Sequence, residues 1–250
     1  MSTAVDDRPV CLVTGAGGRL GSAFCREFAD RYAIAAVWNR RRPIAATAEQ
    51  SLFDPLDPDR PLPANAYPVT DFRADLSRVG AAERLVDQVL MHFGRIDALL
   101  NLAVARRWAG LLAEDYTLDE ATEALRLNVA VPLTLTAAVC RAAWIDQPDI
   151  NRTRNRSVLN VSSTASVYVY PGFGQGMYSA SKAALNILSR HMAAEFEPIG
   201  VRVNVLAPDS FPGRVPIRGV LSAMSRLLDG EATGQILLQH PGGVEHVLDS

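Results

Sequence analysis

Cysteine and histidine are scarce in this chain, and neither is arranged for chemistry. The three cysteines, Cys11, Cys25 and Cys140, are odd in number, far apart and at no metal or redox spacing. That excludes a disulfide framework and reads as reduced core thiols of a cytoplasmic protein. None of the four histidines has a partner at ligand spacing, so no metal is expected. Charge of one sign is also missing: Lys plus Arg number 25 against 27 Asp plus Glu, for a net charge of -2 and a pI near 6.1. A nucleic-acid partner calls for a clustered basic face, and none is expected here. The longest apolar run, Val129 to Cys140, is about half a membrane span and is interrupted by Pro132, Thr134 and Thr136, so no membrane partner is expected. The acidic start MSTAVDDRPV lacks the apolar stretch of a signal peptide. No internal repeat is apparent.

What is present is a chain of 250 residues, 48% hydrophobic and 21% charged, enough for a sizeable core in one large α/β domain or two small ones. Apolar runs at Val10–Val13, Ala33–Trp38, Val69–Phe72, Ile96–Ala105, Arg156–Ser162, Val201–Ala207 and Gln235–His240 read as strands. Between them, Leu20–Tyr32, Ala81–Phe93, Leu118–Ala143, Tyr178–Phe196 and Val215–Leu228 carry helical spacing. Prolines and aspartates crowd residues 43–67, which read as a surface insertion rather than a linker, because the same rhythm resumes after them. Strands alternating with helices imply right-handed crossovers. The expected fold is α/β: one domain over 1–250, with a doubly wound, mostly parallel sheet of about seven strands and helices on both faces. Ligands in such sheets bind beyond the carboxyl ends of the strands.

Thr14-Gly15-Ala16-Gly17-Gly18-Arg19-Leu20-Gly21 joins the first strand to the first helix. Glycines there permit a tight turn and close approach of a pyrophosphate, with free N–H groups and the helix dipole favouring its charge. At the end of the second strand, an acid would hold the ribose 2′-hydroxyl of NAD, whereas arginine suits the 2′-phosphate of NADP. This chain has Asn39-Arg40-Arg41-Arg42 and no acid, and Arg19 offers a further positive charge. NADP(H) is the expected cofactor, against the plainer reading of a solvated basic loop.

Tyr178 and Lys182 stand at i and i+4, on one face of a helix. A phenol with a pKa near 10 is a poor acid or base at neutral pH, and an adjacent ammonium would bring it down. Such a tyrosine can protonate the oxygen of a carbonyl that receives hydride. Val158-Leu159-Asn160-Val161-Ser162-Ser163 ends the preceding strand in hydroxyls, placed to bond a substrate oxygen or to cap a turn.

Together and in this order, the motifs resemble the short-chain dehydrogenase/reductase family over nearly the whole length. The resemblance implies a single-domain Rossmann fold and a reaction between a small carbonyl or alcohol substrate and a nicotinamide cofactor. It implies Tyr178 as acid/base and Ser163 as the residue that positions the substrate oxygen, with Ser162 and Ser166 as alternatives. Lys182 would bind the nicotinamide ribose, and Asn128 in Leu127-Asn128-Val129 would hold a water in a proton relay. Cofactor contacts are implied at Gly15, Gly18, Arg19, Leu20, Gly21, Asn39, Arg40, Arg41, Asp75, Leu76, Asn101, Ala103, Pro208 and the backbone of Phe211, besides Tyr178 and Lys182. For Asp75 a helix-cap role stands beside this, and Asn101 is equally suited to serve the sheet. A homodimer or homotetramer is implied as well.

The chain departs from the family pattern at several points. Arg19 replaces the middle glycine, as in pteridine reductases, which strengthens NADP(H) and hints at heterocycle reduction. Leu102 and Val104 replace an Asn and a Gly, and Asp209 replaces the glycine after Pro208, either to tune the cofactor or substrate or to make a turn. The connection from Ser163 to Tyr178 is longer than usual and carries Tyr168, Tyr170 and Phe173, while the stretch Asp209–Arg214 leaves a short substrate lid and an open pocket. Alternatives to carbonyl reduction are dehydration, epimerisation, imine or pteridine-type reduction, and a nucleotide-binding regulator without turnover.

Overall fold

Short apolar stretches without helical period end as buried strands. β1 (Val10–Val13), β2 (Ala33–Trp38), β3 (Thr70–Arg73), β4 (Ala98–Asn101), β5 (Ser157–Val161), β6 (Arg202–Pro208) and β7 (Ile236–His240) are parallel. The sheet has eight strands rather than seven, in the order β3-β2-β1-β4-β5-β6-β7-β8, because β8 (Gly243–His246) returns antiparallel on β7. Four residues are too few to show a period, and the turn depends on Gly243 at φ 139°, a backbone state that favours glycine. The computed structural model describes residues 7–43, 69–106, 108–110, 112–113, 117–211 and 213–246. Beyond Pro43, the expected insertion at 43–67 lies outside the described residues.

The helices are α1 (Arg19–Glu27), α2 (Ala81–Phe93), α3 (Leu118–Leu125), α4 (Val131–Val139), α5 (Pro148–Thr153), α6 (Gly176–Phe196) and α7 (Ile217–Asp229). Helix α1 is shorter than its apolar spacing predicts. Phe28 caps it at φ -117°, and Phe28 and Tyr32 pack against Phe24 from the following turn. Periodicity therefore reports burial there, not helical hydrogen bonding. The expected long helix exists as one run, Leu118–Trp144, but π-turns at Arg126–Ala130 and Cys140–Trp144 interrupt it. Pro132 has no N–H to give to the preceding turn, which accounts for the first rewinding. By length and composition this helix could cross a membrane, yet half of its most apolar stretch is buried inside the fold.

Two apolar layers sandwich the sheet. Cys11, Val13, Ile34 and Ala36 face α1 and α7 with Phe24, Leu221 and Met224. The alternate residues Leu12, Ala35 and Val37 face α2, α4 and α6 with Leu85, Leu135 and Met192. Strand residues thus divide between the faces with period two, as the pleat requires. Trp144 fills the second layer, fully buried, and its indole N–H donates to the Ile96 carbonyl at 2.8 Å. Trp144→Ala is expected to destabilise the fold by about 3–5 kcal/mol, checked by urea unfolding.

Candidate active site

Strand order reverses between β1 and β4, so their following loops diverge and leave a cleft at the carboxyl edge. Its volume is about 840 Å³, within the range of ligand sites. The glycine turn forms its floor, the loops after β2 and β3 one side, and Ala103 to Arg106 after β4 the other.

The turn is held by close backbone approach. Gly15 has φ 65°, and a side chain there would meet Ala103 N at 2.7 Å. One at Gly17 would meet the Arg41 carbonyl at 1.7 Å, so the basic loop sits directly on the turn. The Thr14 hydroxyl accepts from Leu102 N and Ala103 N at 3.0 and 3.1 Å, which bends the chain away after Asn101 and ends β4 early. Thr14 and Gly17 were not singled out as individual contacts in the sequence, and their place within the Thr14–Gly21 turn was the available signal. Helix α1 starts at Gly18 with no side-chain cap and no acid in its first turn, so its N–H groups are left for an anion. Gly15 and Gly18 line the cleft, whereas Arg19, Leu20 and Gly21 do not. Arg19 is exposed, Leu20 packs into the core, and Gly21 lies against the Gly15 carbonyl.

Beyond β2, Asn39, Arg40 and Arg41 line the cleft. Arg42 is occupied elsewhere: its Nε and Nη2 donate to Asp71 at 3.0 and 2.9 Å, and Trp38 Nε1 donates to the same carboxylate at 2.7 Å. The Arg42 guanidinium holds the Asp71 carboxyl below the usual range. The sequence reading passed over Asp71, because its partner lies 29 residues away. Asp75 and Leu76 also line the cleft. Asp75 Oδ1 accepts from Ser77 Oγ and N at 2.6 and 3.2 Å, which shapes the turn after β3 and lowers its pKa. Ala103 faces the cleft, but Asn101 serves the sheet: its Nδ2 donates to Asn160 Oδ1 at 2.8 Å behind the opening.

The four residues expected to do chemistry converge from β5, α6 and the first π-turn. The Ser163 side chain lies near enough to the Tyr178 phenol to act on its ionisation, its Oγ accepts from Ala165 N at 3.2 Å, and Lys182 Nζ lies 6.0 Å from the phenol ring's centroid. Ser162 Oγ donates to the Lys182 carbonyl and Ser166 Oγ to the Ser163 carbonyl, so Ser163 is the serine that faces the phenol. Asn128 is buried, with Oδ1 accepting from Ala105 N and Nδ2 donating to Ala105 O and Ser181 Oγ, at 2.8 to 3.0 Å. Ser181 in turn donates to the Tyr178 carbonyl at 2.7 Å. Asn128 therefore fastens the loop after β4 to α6, and both its amide hydrogens are used. Ser181, which the sequence did not single out, completes that link.

One electrostatic expectation needs correcting. Burial pushes the Tyr178 phenol up, outweighing the lowering by the Ser163 hydrogen bond and the Arg106 charge. Burial, aided by Arg106, brings Lys182 down to about 7, and its Nζ donates to the Val161 carbonyl at 2.7 Å. In the chain alone, the lysine does not bring the phenol into the neutral range. Asp209 is buried and takes the turn role: its Oδ1 accepts from Ser210 N at 2.7 Å, and its Oδ2 lies 3.4 Å from Arg214. Pro208 ends β6 in the interior, the Phe211 side chain packs on the core, and neither lines the cleft.

A doubly wound sheet with a cleft at its carboxyl edge, and Ser163, Tyr178 and Lys182 gathered after β5 and on α6, has the form of the dinucleotide-binding α/β proteins. The short chain dehydrogenase family model matches residues 9–214, and the chain belongs to that family. It is 32% identical over 199 residues to a short chain dehydrogenase of Pseudocercospora fijiensis, across 80% of this chain but only 58% of that protein's length. It is 28% identical over 242 residues to a 3-oxoacyl-[acyl-carrier-protein] reductase of Thermotoga maritima, covering 92% of this chain and 88% of the relative. The fold matches a short chain dehydrogenase from Mycobacterium avium at TM-score 0.75 and 23% identity, over 99% of this chain and 87% of that one.

Proposed function

We propose that this chain is an NADP(H)-dependent carbonyl reductase or alcohol dehydrogenase with Tyr178 as its acid/base. The observation that carries this is Ser163 beside the Tyr178 phenol with a buried Lys182 next to the same ring, in a fold whose cleft has arginines and no acid at its β2 rim. The donor set fits the cofactor: an uncapped α1 N-terminus for a pyrophosphate, and Arg40 and Arg41 for a 2′-phosphate. The glycines at 15 and 17 leave no room for side chains that would close the turn.

NADP(H), when bound, supplies or takes the hydride. Tyr178 gives its phenolic proton to the substrate oxygen as negative charge gathers there, and takes it back in the opposite direction. Ser163, beside that phenol, donates to the same oxygen and fixes its place. Lys182, poised near neutrality, favours the phenolate whenever it carries its proton. Asn128 is a positioning residue for the loop and helix that carry these groups. We place the enzyme in the cytoplasm, where three buried free thiols are at home, and as a homodimer or homotetramer through α3, α4 and α6, which expose Leu125, Leu133 and Ile187.

Fluorescence titration with NADPH and NADH tests the cofactor reading. NADPH is expected to bind at least about tenfold tighter, roughly 1.4 kcal/mol, and Arg40→Ala with Arg41→Ala to remove that preference. Equal affinities, or a preference for NADH, would sink the 2′-phosphate assignment. Binding of neither would favour a regulator without turnover.

A further inference from the structure

The strongest unassigned feature is a cation beside the reacting groups. Arg106 lines the cleft directly after Ala105, whose N–H and carbonyl are both held by Asn128. Asn128 also bonds Ser181, on the α6 turn that bears Tyr178 and Lys182. The backbone that leads into Arg106 is thereby tied to the helix bearing Tyr178 and Lys182, and the Arg106 charge is close enough to act on both. Among the described residues no carboxylate pairs with it. An exposed arginine without a carboxylate, beside a group meant to protonate an oxygen, raises the local positive potential for a purpose the tetrad does not itself require.

Two residues further along the same loop, Trp108 begins an aromatic pair. Trp108 and Phe173 meet edge to face at 6.2 Å, although they are 54% and 56% exposed. They come from separate loops, which are locked backbone to backbone: a side chain at Gly174 would meet the backbone of Ala109 and Gly110 at 2.8 Å. The longer connection between Ser163 and Tyr178 thus leans on the loop after β4 and brings a second ring to it. An exposed aromatic pair whose Trp108 follows two residues after a guanidinium that no carboxylate pairs with among the described residues puts an apolar face and a fork of donors on one loop.

Resting on the proposed carbonyl chemistry, we infer that Arg106 and the Trp108–Phe173 pair select a substrate with a carboxylate near its carbonyl and a flat apolar body. The guanidinium takes the carboxylate, the rings take the apolar part, and the carbonyl oxygen is left to Ser163 and Tyr178. Arg106 is then a specificity-determining residue.

Benzoylformate and acetophenone are matched probes, the same aromatic ketone with and without the carboxylate. Calorimetric titration of the NADP⁺-saturated protein is expected to show benzoylformate bound about tenfold tighter or more. Arg106→Met should erase that difference while leaving acetophenone and NADP⁺ affinities within about twofold, and Arg106→Lys should restore part of it. Trp108→Ala should weaken both probes. Equal binding of the two by the unaltered protein, or binding of neither, overturns the inference. So does a loss of NADP⁺ affinity in Arg106→Met, which would make Arg106 a cofactor contact. If NADP⁺ fails to bind while the cofactor-free protein still prefers benzoylformate through Arg106, the nicotinamide reading falls and the carboxylate site stands.

Discussion

Tyr178→Phe is expected to lower turnover of any carbonyl substrate by about 10²–10⁴-fold, the range that a positioned acid/base contributes, with NADPH affinity within a few-fold of the original. The variant removes one oxygen from a ring whose place is already set. Tyr178 sits on the third residue of α6, a helix anchored by Leu185, Met192 and Ala193 in the core and by Asn128 through Ser181. Loss of the phenolic oxygen opens no cavity, and the Ser163 hydroxyl keeps its bond from Ala165 N. The fall should therefore appear in kcat, with thermal stability nearly unchanged. Stopped-flow oxidation of NADPH separates the two readouts. Retention of most activity would show that another group moves the proton.

Lys182→Met should produce the second large effect, and in opposite directions for function and stability. Lys182 is almost fully buried, and its pKa falls from 10.5 in a free chain to about 7 in the fold. Between those values the unfolded chain carries a proton that the folded chain has released, so the lysine's contribution to stability rises with pH from about 7 to about 10.5. Below about 7 the folded chain must hold a buried ammonium whose acceptor among the described residues is the Val161 carbonyl, and the destabilisation is full. Methionine fills a similar volume without charge. The variant is expected to be more stable than the parent at pH 6, on the order of 2 kcal/mol, and the gain should shrink as pH approaches 10. Turnover should meanwhile fall by about 100-fold or more, because no cation then stands beside the phenol. Thermal unfolding at pH 6 and pH 10 checks the first part. A gain that does not change with pH would place its origin in packing rather than in the buried charge. Such a trade of stability for function is common where a site needs a group the fold would rather exclude.

Much of the architecture could be read directly. Helix Ala81–Phe93 has the boundaries its amphipathic spacing predicts, and β1 and β2 coincide with their apolar runs. The misses share a cause. Thr70–Arg73 is only half-buried and is shifted one residue from the apolar run, since pairing with β2 sets its register rather than its own side chains. β4 stops at Asn101 because Thr14, far away in sequence, takes the next two N–H groups. Helix α5 and strand β8 are too short to show a period, and their ends are set by contacts such as Asn151 Nδ2 with the Trp144 and Ile199 carbonyls.

The site divides in the same way. Residue types at fixed local spacing carry chemistry that short-range geometry already imposes: Tyr178 and Lys182 share a helical face, and glycines permit the turn wherever the chain goes next. The sequence by itself therefore determined the family, the doubly wound sheet, the glycine turn after β1 and the tyrosine–lysine pair. Only the tertiary structure decided which serine meets the phenol, that Arg42 belongs to Asp71 while Arg40 and Arg41 face the cleft, that Asn101 serves the sheet and that Asn128 serves as a clamp. It alone decided that burial raises Tyr178 and lowers Lys182, that Arg106 lines the cleft, and that Trp108 meets Phe173 from another loop. Each of these depends on partners tens of residues apart or on removal from water, and neither distance through space nor burial is encoded in local spacing.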